Sequence, residues 1–194
     1  MLFLALIGVV FLLARPARVP LQAEPNPAGV TASLAVTSDG SLIKADSRGL
    51  FRSRDAGRTW EPMSLPRRLV PSAIGPIAVT PANPSVIYAA GIGAGVIVSE
   101  DRGATWRRIT AGLPSLEVEA LAIHAFRRET LFVSVRGKGI YRTEDGGRQW
   151  ERMDGGPAGK SVLALAHSPL EGSMNTGWLY AGTADGPYLS MDCF

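Results

Sequence analysis

The octet Ser99-Glu100-Asp101-Arg102-Gly103-Ala104-Thr105-Trp106 lies near the middle of a 194-residue chain, and the rest is read from it. It recurs upstream as Ser53-Arg54-Asp55-Ala56-Gly57-Arg58-Thr59-Trp60 and downstream as Thr143-Glu144-Asp145-Gly146-Gly147-Arg148-Gln149-Trp150. A fourth copy starts at Ser190-Met191-Asp192 and stops when the chain ends at Phe194. The aspartates at 55, 101, 145 and 192 stand 46, 44 and 47 residues apart. A second marker keeps the same step: Leu34-Ala35, Ile77-Ala78, Leu121-Ala122 and Leu165-Ala166 recur after 43, 44 and 44 residues. Glycine stands six residues before each aspartate, at Gly49, Gly95, Gly139 and Gly186. A steady step of roughly 40–50 residues marks an array whose units bury their faces against one another.

The residues before each octet are β-branched or aromatic and alternate: Leu50-Phe51-Arg52, Val96-Ile97-Val98 and Ile140-Tyr141-Arg142. That pattern reads as a strand. Aspartate with glycine two places on reads as a tight turn, the carboxylate accepting from turn amides and the glycine supplying a positive φ. Tryptophan opens the return strand and buries a large ring. Each octet is therefore expected at a hairpin tip between the third and fourth strands of a small sheet.

The pattern Ser/Thr-x-Asp-x-Gly-x-Thr/Gln-Trp resembles the Asp-box, or BNR repeat, of sialidases, the sortilin propeller, xyloglucan-degrading propellers and the photosystem II assembly-factor family. The resemblance covers nearly all of residues 30–194. It implies an all-β fold of β-propeller blades, each a four-stranded antiparallel sheet, with about four blades and the last incomplete. It implies structural roles at the blade periphery for Ser53, Asp55, Gly57, Trp60, Ser99, Asp101, Gly103, Trp106, Thr143, Asp145, Gly147, Trp150, Ser190 and Asp192. It does not imply catalysis. The blades are expected at about 30–63, 74–110, 117–153 and 161–194.

Met1 to Ala14 is a continuous apolar leader. It is shorter than the ~20 residues that span a bilayer and has the length of an export signal's apolar region. Leu21-Gln22-Ala23 offers a cleavage site, although Arg15 and Arg18 follow the run and no basic residue precedes it. Residues 1–23 are read as a signal peptide or N-terminal membrane anchor and 24–29, with Pro25 and Pro27, as a linker. The protein is accordingly expected outside the cytoplasm, touching membrane only through that segment. Beyond residue 23 the chain holds 18 Lys and Arg against 17 Asp and Glu, which argues against nucleic acid as a partner. Cys193 is the one cysteine, so no intrachain disulfide forms.

The chemistry-bearing residues do not assemble an enzyme on paper. The octet aspartates come one per repeat, whereas a glycosidase needs two carboxyl groups roughly 5–10 Å apart. Each octet offers one aspartate and no dense oxygen cluster of the kind a calcium loop needs. Arg54, Arg67, Arg68, Arg136 and Tyr141 supply the residue types of a sialidase, but Arg68-Leu69-Val70-Pro71 is a loose echo of its opening Arg-Ile-Pro. His124 and His167 close two first strands without cysteine or an acidic cluster beside them, and read as ordinary strand ends. No cofactor or metal is expected. Arg67, Arg68, Arg127 and Arg128 form a candidate partner-binding basic patch.

The missing fourth strand of the last blade leaves an edge open to pairing with another chain. Three readings stay open: a piece of a larger propeller, closure by residues 24–32, or two copies completing each other. The functional expectation is a non-catalytic scaffold that binds a protein or glycan. The alternative is a fragment of a propeller glycoside hydrolase of the sialidase or xyloglucanase type.

Overall fold

A computed structural model describes residues 33–70, 73–80, 82–157, 160–170 and 177–190. The leader, the linker, Asp192 and Cys193 lie outside the described residues. The first sheet holds β1 (Ser33–Val36), β2 (Leu42–Asp46), β3 (Gly49–Ser53) and β4 (Glu61–Pro62). The second holds β5 (Ile77–Val79), β6 (Ile87–Gly91), β7 (Gly95–Ser99) and β8 (Arg107–Arg108). The third holds β9 (Val118–Ile123), β10 (Leu131–Val135), β11 (Gly139–Thr143) and β12 (Glu151–Arg152). The fourth holds β13 (Val162–Ser168), β14 (Trp178–Thr183) and β15 (Gly186–Ser190). Each is an antiparallel meander in chain order, so the chain is all-β and forms four blades of a β-propeller.

The repeat holds at the level of single pairs. The octet's first residue faces the start of the second strand in every blade: Ser53 opposite Leu42, Ser99 opposite Ile87, Thr143 opposite Leu131 and Ser190 opposite Leu179. The fourth strands are shorter than the sequence suggests, only two residues each in β4, β8 and β12. The turn's own hydrogen bonds occupy the residues just before them, so little backbone is left to pair with the third strand. Such short edges also discourage pairing with foreign strands.

Blades stack through three apolar clusters. Ile43, Ala45 and Leu50 of blade one meet Ile77, Ile87 and Ile97 of blade two. Tyr88, Val96 and Val98 of blade two meet Leu131, Val133 and Trp150 of blade three. Phe132 and Ile140 of blade three meet Leu179 and Ala181 of blade four. The first strands β1, β5, β9 and β13 each pack on the next and so line the axis. Central blades are covered on both faces. Hence β6, β7 and β10 are buried at every residue and do not alternate, whereas β15 of the end blade does.

Meander order also sorts the connections. Turns within the first and the last strand pair of each blade lie on one rim, the octet rim. The turns between second and third strands, and the blade-to-blade connections, lie on the opposite rim.

Glycine at the octet's fifth place serves stacking as well as the turn. A Cβ on Gly147 would fall 2.4 Å from Ile109 Cδ1 and 3.1 Å from Ile109 Cβ, the residue that follows the preceding blade's last strand. Gly40 shares the positive φ, +83° against +88°, but has open space around it. Gly147→Ala is therefore expected to cost about 2–4 kcal/mol in chemical denaturation and Gly40→Ala only about 1 kcal/mol, since the first adds overpacking to backbone strain. Equal costs would remove the packing role.

Candidate functional site

The octets form one hydrogen-bond pattern three times. Ser53 Oγ donates to Asp55 Oδ1 at 2.7 Å and accepts from the Gly57 amide at 2.8 Å. Thr59 donates to the same carboxylate twice, through its amide to Oδ1 at 2.9 Å and its hydroxyl to Oδ2 at 2.6 Å. Ser99, Asp101, Gly103 and Thr105 repeat these bonds. In the third copy Thr143 takes the serine's place, and the amides of Arg148 and Gln149 donate to Asp145 Oδ1 at 2.8 and 3.1 Å. The Thr59 hydroxyl and amide hold Asp55 at about 2, and Thr105 does the same for Asp101. Asp145 is lowered first by the Thr143 hydroxyl. These carboxylates are committed to their own turns. The residue after the aspartate takes a positive φ each time: Ala56 at 58°, Arg102 at 62° and Gly146 at 73°.

The three tryptophans differ with their neighbours. Trp150 is buried between blades two and three and donates through Nε1 to the Ile109 carbonyl at 2.7 Å. Trp106 packs against the cluster of blades one and two, and its buried Nε1 has no hydrogen-bond partner among the described residues. Trp60, half-buried, turns back to its own Gly57 carbonyl at 3.0 Å and lies under Lys44 Nζ, 4.7 Å from its ring centre.

Blades one and two are bridged on the octet rim, whereas a cleft opens between blades two and three. Arg52 of β3 reaches across to blade two, donating to the Arg102 carbonyl at 2.5 Å. Val98 occupies the equivalent place in β7, opposite Tyr88, and is too short to do this. Between blades two and three a cleft of about 620 Å³ stands open on the octet rim. It is lined by Tyr88, Arg107, Arg127, Arg128, Glu129 and Arg148 among others. Arg107 is committed to Glu100 at 2.9 Å, and Glu144, also on the wall, to Arg142 at 3.4 Å. Among the described residues Arg127, Arg128 and Arg148 make no ion pair; the wall also carries the carboxylates of Glu129 and Asp145, the second held by its own turn's amides and facing the charge of Arg148. Tyr88 is only 5% exposed. Its hydroxyl opens on the cleft without a hydrogen bond to a described residue, and burial raises its pKa, so it stays a neutral donor.

The structure splits the candidate patch. Arg127 and Arg128 sit in the β9–β10 turn, on the octet rim and in the cleft. Arg67 and Arg68 sit in the β4–β5 connection, on the opposite rim. The cleft takes in Arg127 and Arg128 but not Arg67 or Arg68. Arg148 and Tyr88 were not foreseen as cleft residues, because no local pattern marks which side chains two neighbouring blades bring together.

His124 and His167 are more than strand ends. Their rings stack between blades three and four with centres 3.9 Å apart. His167 Nδ1 accepts the Ala125 amide at 3.1 Å, and His124 Nδ1 accepts the amides of Phe126 and Arg127 at 3.1 and 3.2 Å. Both Nδ1 atoms are therefore unprotonated and engaged by backbone. Burial, then His167 and Arg127, lowers His124 to about 4; burial lowers His167 too. On the connector rim, Arg136 binds both Glu119 at 2.7 Å and Glu117 at 3.7 Å, and Ser161 donates to Glu119. Arg136 balances one of the two negative charges and holds both carboxylates in place. Among the described residues no three histidine, cysteine or acidic side chains group for a metal.

Neither a family model nor a curated protein matches the sequence. Solved structures do. The GH74 xyloglucanase from Xanthomonas campestris superposes with a TM-score of 0.66 at 20% identity, over 86% of this chain and 29% of that one. YCF48 from Cyanidioschyzon merolae gives 0.63 at 18% identity, over 86% and 51%. The extracellular domain of the putative hybrid two-component system BT4673 from B. thetaiotaomicron gives 0.64 at 16% identity, over 87% and 21%. These likenesses establish the propeller fold. The chain spans about half the length of YCF48 and less than a third of the xyloglucanase.

The histidine stack sets a pH dependence. His124 has a folded pKa below its ordinary 6.5, so its contribution is complete above pH 6.5 and is lost as pH falls towards 4. Chemical denaturation at pH 7.5 and 4.5 should show a loss of about 2 kcal/mol, much reduced in His124→Phe. The octet aspartates act in a separate window. Their contribution is complete above about 4 and lost as pH falls through 2, so Asp101→Asn should flatten the profile below pH 4 only.

Proposed function

We propose that this protein is a non-catalytic binding scaffold outside the cytoplasm, whose blades hold a partner-binding cleft between the second and third sheets. The observation that carries the reading is the cleft's chemistry: Arg127, Arg128 and Arg148, which make no ion pair among the described residues, beside the Tyr88 hydroxyl. Such groups recognise carboxylates and other anionic oxygen groups on a partner, since a guanidinium donates two parallel hydrogen bonds to them. The partner class is a protein or a glycan. Structural neighbours support both, since one YCF48 structure is of the protein bound to D1 peptide and the GH74 neighbour is a xyloglucanase. Residues 1–23 serve as an export signal or membrane anchor, 24–29 as a linker and 30–194 as the propeller. The BT4673 neighbour, an extracellular domain, agrees with that location.

The octets are the corners of this scaffold, in keeping with the Asp-box resemblance, and their acids serve shape. A second reading has the GH74 likeness in its favour: these blades are part of a larger glycoside hydrolase, and its reacting acids stand elsewhere. Incubation with fluorogenic sialosides and xyloglucan oligomers separates the two. No turnover is expected, and saturable turnover would overturn the scaffold. Partner capture is expected to fall at least tenfold in Arg127→Glu/Arg128→Glu and in Arg148→Glu, both on the cleft wall. Unchanged capture by both variants, with unchanged circular dichroism, would remove the cleft as the site.

A further inference from the structure

The turn that carries Arg127 and Arg128 is anchored through two imidazole rings. Three places after the leucine or isoleucine that marks each repeat stand Thr37, Thr80, His124 and Ser168. In each blade this side chain bonds the turn that follows. Thr37 donates to the Ser41 carbonyl and Thr80 to the Asn83 carbonyl, both at 2.9 Å, and Ser168 Oγ accepts the Leu170 amide at 3.1 Å. His124 fills the same role with a ring nitrogen. Its Nδ1 accepts the amides two and three places on, those of Phe126 and Arg127. That is the spacing at which a serine, threonine or asparagine oxygen caps a turn.

Blade four supplies a second acceptor to the same turn. His167 stands where the other repeats carry Val36, Val79 and Ile123. Its Nδ1 accepts the Ala125 amide at 3.1 Å, while its ring stacks on His124 and lies parallel to Phe132 with centres 5.8 Å apart. Three successive amides, those of 125 to 127, therefore end on two imidazoles. Two further bonds fix the rest of the turn. The His124 amide donates to the Thr130 carbonyl at 2.9 Å, and the Glu129 carbonyl accepts the Gly146 amide of the third octet at 2.9 Å. The wall that holds Arg127 and Arg128 is thus pinned on one side by the octet that carries Arg148. On the other it is pinned by blade four, none of whose described residues lines the cleft.

We infer that His124 and His167 are positioning residues for the cleft, setting the places of Arg127 and Arg128 through the three backbone amides they accept, so that blade four governs binding at a cleft it does not line. The inference rests on the reading of that cleft as the binding site. A guanidinium gives two parallel bonds to an anion only from a fixed place, and a turn whose amides lose their acceptors no longer fixes it. The ring stack holds blades three and four together. The acceptor nitrogens aim the arginines.

The test follows the full chain by amide hydrogen exchange at residues 125 to 127 and by NMR titration with inorganic sulfate. His124→Phe keeps a ring against His167 and Phe132 but has no acceptor. His124→Asn has an acceptor oxygen at the turn-capping spacing and no ring. In His124→Phe the amides of 126 and 127 are expected to exchange about tenfold faster, and sulfate to bind about fivefold more weakly. His124→Asn should restore both. His167→Phe should speed exchange at 125 and also weaken sulfate, although its blade lines no part of the cleft. Unchanged exchange in His124→Phe would overturn the inference and leave the cleft standing. So would faster exchange with sulfate affinity intact, in either phenylalanine variant. The same holds if His124→Asn behaves as His124→Phe does, since ring packing would then be the cause. If the native chain binds no sulfate, or Arg127→Glu/Arg128→Glu leaves sulfate binding unchanged, the cleft reading goes and the inference with it. Should His124→Phe fail to fold, exchange at 125 and sulfate affinity in His167→Phe decide.

Discussion

A sheet with apolar residues on both faces has to be covered on both, and this is the constraint that shapes the molecule. Ile87, Ala89 and Ile97 of blade two point at blade one, while Tyr88, Val96 and Val98 point at blade three. Neither set can be left in water without losing about 25 cal/mol for every Å² of apolar surface. The blades therefore stack. Everything local serves the approach of one sheet to the next. Gly147 leaves room for Ile109, and Trp150 ties its ring nitrogen to the preceding blade's carbonyl.

The same constraint explains why the octet acids are poor candidates for chemistry. Asp55 and Asp101 spend both oxygens on hydroxyls and amides of their own turns. A carboxylate held near pKa 2 by such bonds is a weak base and is never protonated enough to act as an acid at neutral pH. Its work is to pin the chain so that tryptophan enters the blade interface at a fixed place. Function is left to positions where the repeat is broken. One break is valine at 98 in place of arginine: Arg52 bridges blades one and two, whereas a cleft lined by Arg127, Arg128 and Arg148 stands open between blades two and three.

The histidine stack shows how a repeat accommodates a titratable group. Two rings from adjacent blades share one buried site because each turns Nδ1 to backbone amides. Neutral imidazole satisfies that geometry, and a second proton on either ring would meet the other ring and the nearby Arg127. The contact joins blade three to blade four at the base of the turn that carries Arg127 and Arg128. Acid therefore acts on the blade contact and on one wall of the cleft together.

From the sequence alone one could read the period, the turn chemistry, the four blades and the place of each octet in its sheet. These follow from local rules: aspartate and glycine at fixed offsets force a turn, and β-branched runs of fixed length force strands. The sequence also exposed the basic pairs, but not their arrangement. Placing Arg67-Arg68 and Arg127-Arg128 on opposite rims depends on the parity of strand crossings between them, and pairing order decides that. The full burial of β6 and β10, the stacking of His124 on His167 and the opening beside Val98 belong to contacts between residues some forty apart. Local propensity says nothing about those. They arise only once neighbouring sheets are pressed together and each side chain must either fill the gap, pair across it or leave it open.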